Sequence, residues 1–357
     1  MQILNRKERL TLAAALVITI LSGVFTTMKV NEVFLFVLTG ACLSLLATIV
    51  GQATEQLGSR MSAGATGVLQ SALGNLPELF IGIFSLRAGL VTVVQAALVG
   101  SILANSLLVL GIALLAGGLK NGTQKFGQEA PRLIVTLSAV AVGALMFPTL
   151  AHQLHTPAGP HVGELSVACA IVLLIVFFVG IPVMTKSEEA VIPHEPADQP
   201  APHALWPLWL AIVILTAAGL ASAFVSDWFV EALKPATKTL GLSEAFTGLV
   251  IVAIAGNAVE NVVGVQLAVR NKMDYALSVI LQSSLQVALA LTPILVLLSF
   301  VVSSNHLTLV LPPLLVAALA ITTLVSMMIV YDGESNWMEG VALIGLYGII
   351  AASFWWG

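Results

Sequence analysis

Apolar residues occur in this chain in long, uninterrupted runs, and the polar stretches between the runs are short. A run of about 18–25 apolar residues can cross a bilayer as one helix. About 11 runs meet that length, at 10–28, 33–53, 61–86, 91–117, 132–150, 164–184, 206–225, 243–269, 275–300, 308–330 and 337–356. The pattern therefore predicts an all-α polytopic membrane protein with about 11 transmembrane helices.

The composition agrees with a lipid environment. Hydrophobic residues make up 58% of the chain and charged residues 9%, whereas a soluble domain carries about 25% charged residues. We expect a lipid bilayer as the surroundings and no nucleic-acid partner. Cys42 and Cys169 fall in separate apolar runs and are interpreted as buried small hydrophobic residues. The first run follows Arg6, Lys7 and Arg9 as in a signal peptide, but its length and lack of a clear cleavage site favour a retained helix.

The basic residues indicate an orientation. If the N-terminus is cytoplasmic, 10 of the 14 Lys and Arg residues lie on the cytoplasmic side, and the other 4 are Lys29, Arg87, Lys234 and Lys238. Basic residues concentrate in cytoplasmic loops. The sequence thus predicts a cytoplasmic N-terminus and an external C-terminus, in an inner or plasma membrane of bacterial type.

A polar segment divides the chain. Residues Lys186 to His203 include four acidic residues and four prolines, so they are interpreted as a cytoplasmic linker. The linker serves as a solvated hinge or gathers cations with its carboxylates, and both interpretations stay open. The predicted domains are an extra N-terminal helix (1–30), a five-helix repeat (31–185), the linker (186–205) and a second five-helix repeat (206–357). Because five is odd, equivalent helices would run in opposite directions.

One phrase occurs in both predicted repeats. Gly74-Asn75-Leu76-Pro77-Glu78 lies in the third span and Gly256-Asn257-Ala258-Val259-Glu260 in the eighth, 182 positions later (260 − 78). At the same offset Ser101 in the fourth span matches Ser283 in the ninth. Inverted repeats with a polar site at the midplane are typical of secondary transporters, although channels and intramembrane enzymes also show internal symmetry.

The two glutamates are the main candidates for function. A carboxylate at bilayer depth costs at least about 2.5 kcal/mol, and no Lys or Arg lies at that depth to pair with Glu78 or Glu260. Asn75 and Asn257 each precede a glutamate by three residues, a spacing that puts both on one helical face. We predict these four residues as cation ligands.

Further polar and small residues extend the predicted cation and proton pathway. Gly74 and Gly256 let the backbone approach closely, and Pro77 would free the carbonyl of Leu73 in a helix. The remaining pathway candidates are Ser101, Asn105, Gln282, Ser283, Ser284 and Gln286. Glu55 is either a carboxylate at the cytoplasmic mouth or a surface charge.

The donor set indicates the cargo. It contains carboxylate, amide and hydroxyl oxygens without His or Cys, so it favours a hard cation over zinc, copper or iron. Two negative charges favour a divalent ion, and flexible oxygen ligands favour calcium over magnesium. Calcium would be a transported substrate, so no cofactor is predicted.

These residues resemble the calcium/proton exchangers of the cation/calcium exchanger superfamily. The likeness covers Leu73 to Gly111, through the first phrase and the stretch Gly100 to Asn105, and Gly256 to Pro293, through the second phrase and the stretch Gln282 to Gln286. Gly51 to Glu55 and Asp332 to Trp337 also look like the family. The resemblance implies that Glu78 and Glu260 carry the exchanged ions, within a core of ten helices plus one.

The predicted function is antiport that exports cytoplasmic Ca²⁺ in exchange for H⁺, without enzyme activity. Calcium needs both carboxylates charged and protons need them neutral, whereas the empty charged site is costly to bury. Exchange of Na⁺ or another monovalent ion for Ca²⁺ is the nearest alternative. An intramembrane hydrolase with a carboxylate pair and a cation channel are alternatives of other classes, and a homo-oligomer is compatible with the sequence.

Overall fold

The computed structural model of the chain describes residues 4–61, 73–191 and 206–356, with side chains except those of 183–191 and 258–261. The start of the predicted third span and most of the predicted linker lie outside these ranges. The described residues are helical apart from loops and one pair of short strands. Among these residues, eight helical runs are long and apolar enough to cross a membrane, and two further apolar helical runs, Glu244–Gly256 and Trp337–Ser353, are shorter. The protein is therefore a helical polytopic membrane protein.

The helices group into two compact units. Unit 1 comprises Met1–Phe84 and Ile192–Gly241, and unit 2 comprises Ser85–Val191 and Leu242–Gly357. Each unit draws helices from both predicted repeats, so the compact units differ from the repeats that the sequence predicts. The repeats concern internal symmetry, and they remain a prediction.

Unit 1 is built on two long helices. Its elements are α1 (Arg6–Thr27), α2 (Glu32–Gly58), most of α3 (Leu76–Arg87) and α8 (Leu208–Leu240). The rings of Phe36 on α2 and Phe229 on α8 stack with centroids 4.8 Å apart. Gly23 of α1 lies against Trp228, and a Cβ there would come within 2.9 Å of the indole ring. Small residues thus allow close helix packing, which is the usual basis of helix association in lipid.

Unit 2 contains the remaining elements. They are α4 (Val91–Leu103), a π-helical stretch (Ala104–Val109), α5 (Leu110–Asn121), β1 (Gln124–Lys125), α6 (Glu129–Gln153), a 3₁₀ turn (Gly159–His161), α7 (Val162–Val191), α9 (Glu244–Phe246), a π-helical stretch (Thr247–Val252), α10 (Ala253–Gly256), α11 (Ala258–Val269), α12 (Met273–Gln286), a π-helical stretch (Val287–Leu291), α13 (Thr292–Val302), α14 (Pro313–Tyr331), β2 (Glu334–Ser335) and α15 (Trp337–Ser353). Gly100 of α4 lies against the backbone of Leu249, and Gly248 lies against the carbonyl of Val93. These glycines bring two helices into backbone contact.

The short strands join loops at one end of unit 2. β1 and β2 pair antiparallel with Lys125 opposite Glu334, and their side chains form an ion pair at 3.1 Å. Gln124 Nε2 donates to the carbonyl of Ala268 and to Asn271 Oδ1, each at 2.9 Å. The three loops that follow α5, α11 and α14 are therefore tied to one another.

An extended strap, residues 303–312, crosses unit 2 between α13 and α14. The apolar run at 308–330 predicted a helix from 308, but α14 begins at Pro313. Leu307, Leu309 and Leu311 are buried in the strap, and their backbone N–H groups donate to the hydroxyls of Ser299, Ser166 and Thr149 at 2.8–2.9 Å. Gln95 Nε2 donates to the carbonyls of Thr308 and Val310. Non-helical backbone is tolerated inside a membrane protein because side chains satisfy it in this way.

Helix ends repeat at the offset found in the sequence. α3 spans 76–87 and α11 spans 258–269, while α4 begins at 91 and α12 at 273. The π-helical stretches at 104–109 and 287–291 end at the same offset of 182. The internal likeness therefore extends beyond the two phrases to the lengths of the helices that carry them.

Further predicted spans have different limits in the structure. The sixth was expected to end at 184, but α7 continues to Val191, so the first residues of the predicted linker are helical. The seventh was expected to end at 225, but α8 continues to Leu240, because Asp227, Glu231 and Lys234 lie exposed on its surface and do not end the helix. The eighth was expected over 243–269 with at most a mild break at the second phrase, and it is interrupted at one residue, Asn257.

Candidate functional site

The two repeated phrases lie at the beginnings of helices. Asn75 immediately precedes α3, and its carbonyl accepts a hydrogen bond from the N–H of Leu79 at 2.9 Å. Glu78 is the third residue of α3, and Glu260 is the third residue of α11. Asparagine and glutamate were expected to share one face within a helix, but each asparagine lies just before a helix and each glutamate lies in its first turn.

The local sequence explains both helix starts. Pro77 is the second residue of α3, where its missing N–H is not required by the helix. The second phrase has no proline, and its break is one residue long, at Asn257 with φ −93° and ψ 23°. The N–H of Asn257 still donates to the carbonyl of Ala253 at 3.2 Å. Glycine before asparagine thus interrupts the helix without proline.

Burial and helix direction act on Glu78 in opposite ways. Asn75 is 5% exposed and Glu78 is 8% exposed, so a charge on Glu78 is largely removed from water. The first turn of a helix carries unpaired N–H groups and the positive end of the helix dipole, which stabilise a carboxylate. Two opposing influences therefore act on the same carboxyl group.

Asn257 is the centre of a buried hydrogen-bond network in unit 2. Its Nδ2 donates to Ser101 Oγ at 3.0 Å and to the carbonyl of Ala253 at 2.8 Å. Asn105 Nδ2 donates to Asn257 Oδ1 at 3.0 Å and to Ser283 Oγ at 2.9 Å. We call Ser101, Asn105, Asn257 and Ser283 the amide network. It joins α4, the break before α11, and α12.

Asn105 offers an oxygen toward a further partner. The residue is fully buried, and its Oδ1 has no hydrogen-bond partner among the residues that the structure describes. Asn105 lies in a π-helical stretch, a distortion that is frequent at functional sites. A buried amide oxygen of this kind is a hard ligand and can accept a hydrogen bond from a proton carrier.

Ser284 lies beside the amide network in a separate contact. Its Oγ is 2.8 Å from Ser106 Oγ and donates to the carbonyl of Ile102 at 3.2 Å. Ser106 was not among the predicted site residues, although its position next to Asn105 was a signal. Ile102 and Ser284 are themselves 182 positions apart, so equivalent positions of the two repeats contact each other here.

The other predicted residues have varied environments. Gly256 is buried and Gly74 is half-buried. Gln282 and Gln286 are half-buried, one turn apart on α12. Glu55 is exposed in the last turn of α2, which agrees with both interpretations of that residue.

The side chain of Glu260 lies outside the described part of the chain, so the meeting of the two carboxylates stays a prediction. Within the described ranges, no group of three or more His, Cys, Asp or Glu side chains could hold a metal ion. The described oxygen atoms of the amide network belong to amides and hydroxyls.

Comparisons with known proteins identify the family of the chain. Residues 31–186 and 210–356 match the family described as "Sodium/calcium exchanger protein". The chain is 34% identical to the Ca(2+)/H(+) antiporter of Aphanothece halophytica over 342 residues, covering 91% of this chain and 90% of that protein. It is 33% identical to the Ca(2+)/H(+) antiporter of Synechocystis sp. over 344 residues, with 91% of each covered.

A solved structure shares the fold over nearly the whole chain. The structure of native YfkE superposes with a TM-score of 0.81 at 30% identity, covering 97% of this chain and 98% of that one. The family match spans both halves of the chain, including both phrases and the amide network. The protein belongs to the sodium/calcium exchanger family, whose members are transporters and not enzymes.

Proposed function

We propose that the protein is an antiporter that exports cytoplasmic Ca²⁺ in exchange for H⁺. Two relatives that match over 91% of the chain are named Ca(2+)/H(+) antiporters. The observation that carries the proposal is the repeated beginning of α3 and α11, where an asparagine precedes the helix and a glutamate lies in its first turn. The asparagine of the second copy, Asn257, belongs to the buried amide network.

Glu78 and Glu260 are the proposed carriers of the exchanged ions, and Asn75 and Asn257 are proposed ligands beside them. Asn257 Oδ1 accepts one hydrogen bond from Asn105, and a second lone pair remains for a cation. The unpartnered oxygen of Asn105 adds a further candidate ligand. The remaining members of the pathway are Gly74, Gly256, Ser101, Ser283, Ser284, Gln282, Gln286 and Glu55.

The proposed architecture is one extra N-terminal helix plus two inverted five-helix repeats, making about 11 spans with a cytoplasmic N-terminus. The matching ends of α3 and α11, and of α4 and α12, support the repeats. The excess of Lys and Arg in the predicted cytoplasmic loops supports the orientation.

Coupling follows from the cost of burying charge. Bound Ca²⁺ compensates two carboxylates, and two protons neutralise them, whereas the empty charged site is compensated by neither. Only the loaded forms then pass readily through the occluded state of the transport cycle. Protons that enter from outside would therefore drive Ca²⁺ out of the cytoplasm.

Sodium/calcium exchange is the second candidate, favoured by the description of the matching family. Purified protein in proteoliposomes distinguishes the two. Internal Ca²⁺ indicator is monitored while a pH gradient or a Na⁺ gradient is imposed separately, with the membrane potential clamped by K⁺ and valinomycin. We expect Ca²⁺ movement with the pH gradient alone, abolished by a proton ionophore. Movement with the Na⁺ gradient alone would overturn the proposal in favour of sodium/calcium exchange.

A further inference from the structure

A polar cavity lies in unit 2, next to the Ser106–Ser284 contact. Eleven residues line it, and six of them carry hydroxyl groups: Ser106, Ser138, Ser284, Thr322, Thr323 and Ser326. The centre of a water molecule can occupy a volume of about 20 Å³ within the cavity. An enclosed space needs about 10–15 Å³ by that measure to hold one water molecule, so there is room for one.

Four of the six hydroxyls have partners within the protein. Ser138 Oγ donates to the carbonyl of Ile134 at 2.9 Å, and Thr323 Oγ1 donates to the carbonyl of Leu319 at 2.8 Å. Ser106 and Ser284 bond to each other at 2.8 Å. The contacts of Ser138 and Thr323 are the usual ones for hydroxyls in helices, where the carbonyl one turn earlier accepts the hydrogen bond.

Thr322 and Ser326 depart from that pattern. They are 1% and 4% exposed, and neither hydroxyl has a hydrogen-bond partner among the residues described. They are four residues apart on α14, so they lie on one helical face. A buried hydroxyl without a partner is costly, and in native proteins such groups are satisfied by protein or by ordered water.

The chemistry of the walls selects a neutral ligand. The lining residues are apolar or carry hydroxyls, and none of them is acidic. Neutral hydroxyls do not compensate a buried cation as a carboxylate would. A ligand that both donates and accepts hydrogen bonds suits these walls, because each hydroxyl can act in either role. Water meets all these conditions.

We propose that this cavity binds one ordered water molecule, which bridges Thr322 and Ser326 to the Ser106–Ser284 pair. Ser106 and Ser284 follow Asn105 and Ser283 of the amide network directly in the chain. This water therefore stabilises the helical segments that carry two members of that network. The site does not depend on which ions are exchanged.

X-ray radiolysis of the wild-type protein in H₂¹⁸O tests the proposal directly. Radicals formed from a bound water label the nearest side chains with ¹⁸O. Leu281 lines the cavity, whereas Leu285 on the same helix does not line it and is equally buried, at 1% against 2% exposure. We expect Leu281 to be labelled several-fold more than Leu285. Equal labelling of both leucines would mean that the cavity is dry and would overturn the proposal.

Variants locate the water by crystallography. Electron density is expected within hydrogen-bond distance of Thr322 Oγ1 and Ser326 Oγ in the wild type, and to vanish in the Thr322→Val/Ser326→Ala double variant. Thr323→Val is the matched control, since that hydroxyl also lines the cavity but already donates to Leu319, and the density should persist there. A thallium(I) soak that gives anomalous signal at this position would identify a monovalent cation and refute a water site.

Discussion

A carboxylate in the first turn of a buried helix is subject to two opposing influences. Burial favours the neutral acid, and the N–H groups at the start of the helix favour the anion. Glu78 has both features, being 8% exposed and third in α3. If Glu78 carries an exchanged ion, as proposed, these two influences act on it in opposite directions.

Replacement of either repeated glutamate by glutamine should abolish coupled exchange. Glutamine keeps the shape but cannot carry a negative charge, so neither Ca²⁺ compensation nor proton binding is possible at that position. We expect Glu78→Gln and Glu260→Gln to reduce pH-driven Ca²⁺ flux in proteoliposomes to the level of empty vesicles. Glu231→Gln, at an exposed position of α8, should transport normally. Strong Ca²⁺-dependent proton flux in Glu78→Gln would show that this residue is not a carrier.

Asn105 should be required for both stability and transport. Asn105→Ala removes two donor contacts and leaves Asn257 Oδ1 and Ser283 Oγ without that donor, and each buried group left unsatisfied costs about 1–3 kcal/mol. We expect a clearly lower midpoint of thermal unfolding in detergent and weaker Ca²⁺ binding. Ser138→Ala, which loses only a bond within its own helix, is the control and should change little. An unchanged midpoint in Asn105→Ala would contradict the network.

At the scale of elements, apolar length predicted the helices, but it could not predict where they are interrupted. The strap at 303–312 includes five residues that were predicted as helix, 308–312, yet it is non-helical, and Gln95, Thr149, Ser166 and Ser299 satisfy its backbone. Those partners lie 8 to about 215 positions away in the chain, so no local pattern contains them. The same limit applies to Asn257, whose side-chain partners Ser101 and Asn105 lie more than 150 positions away in the chain. The residue types of the candidate site were predictable, because polar groups are rare in apolar runs, but their hydrogen bonds were not.

The strap should depend on Thr149. Its hydroxyl donates to the carbonyl of Leu309 at 3.0 Å and accepts from the N–H of Leu311 at 2.8 Å. Thr149→Val keeps the shape and leaves both backbone groups unsatisfied, at a cost of about 1–3 kcal/mol for each group. Thr136→Val on the same helix, whose exposed hydroxyl only bonds to Arg132, is the control. Thermal unfolding should separate the two variants, and equal midpoints would mean that the strap does not need these bonds.

Replacement of glycine by alanine should destabilise the protein only where the glycine lies against the backbone of another helix. A Cβ at Gly100 would overlap the backbone of Leu249, whereas a Cβ at Gly143 on α6 would meet nothing within 4 Å. Gly100→Ala must therefore separate two packed helices and should lower the yield of folded protein in size-exclusion chromatography. Gly143→Ala should be neutral or slightly stabilising, by up to about 1 kcal/mol, because alanine favours helix formation over glycine. Similar behaviour of both variants would argue against close backbone packing at Gly100.

At the scale of the whole molecule, competition between Ca²⁺ and H⁺ makes a quantitative prediction about pH. If two carboxyl groups must lose their protons before Ca²⁺ binds, each bound Ca²⁺ releases protons, and acid weakens binding. In the range where both groups are protonated in the empty protein, the apparent Kd should rise by up to about 100-fold for each unit decrease in pH, since each proton contributes about tenfold. Where both groups are already charged, Kd should not depend on pH.

Isothermal titration calorimetry of the purified protein measures this linkage without any gradient. Titrations in buffers of different ionisation enthalpy give the number of protons released for each Ca²⁺, and a pH series gives the slope of log Kd. In Glu78→Gln one titrating group is missing, so any residual Ca²⁺ binding should show a limiting slope of at most one proton. A wild-type Kd that is the same at every pH of the series would contradict competition, because Ca²⁺ and H⁺ would then occupy independent sites. A slope that falls from two to one on removal of one carboxylate would instead assign one proton of the exchange to each copy of the repeated phrase.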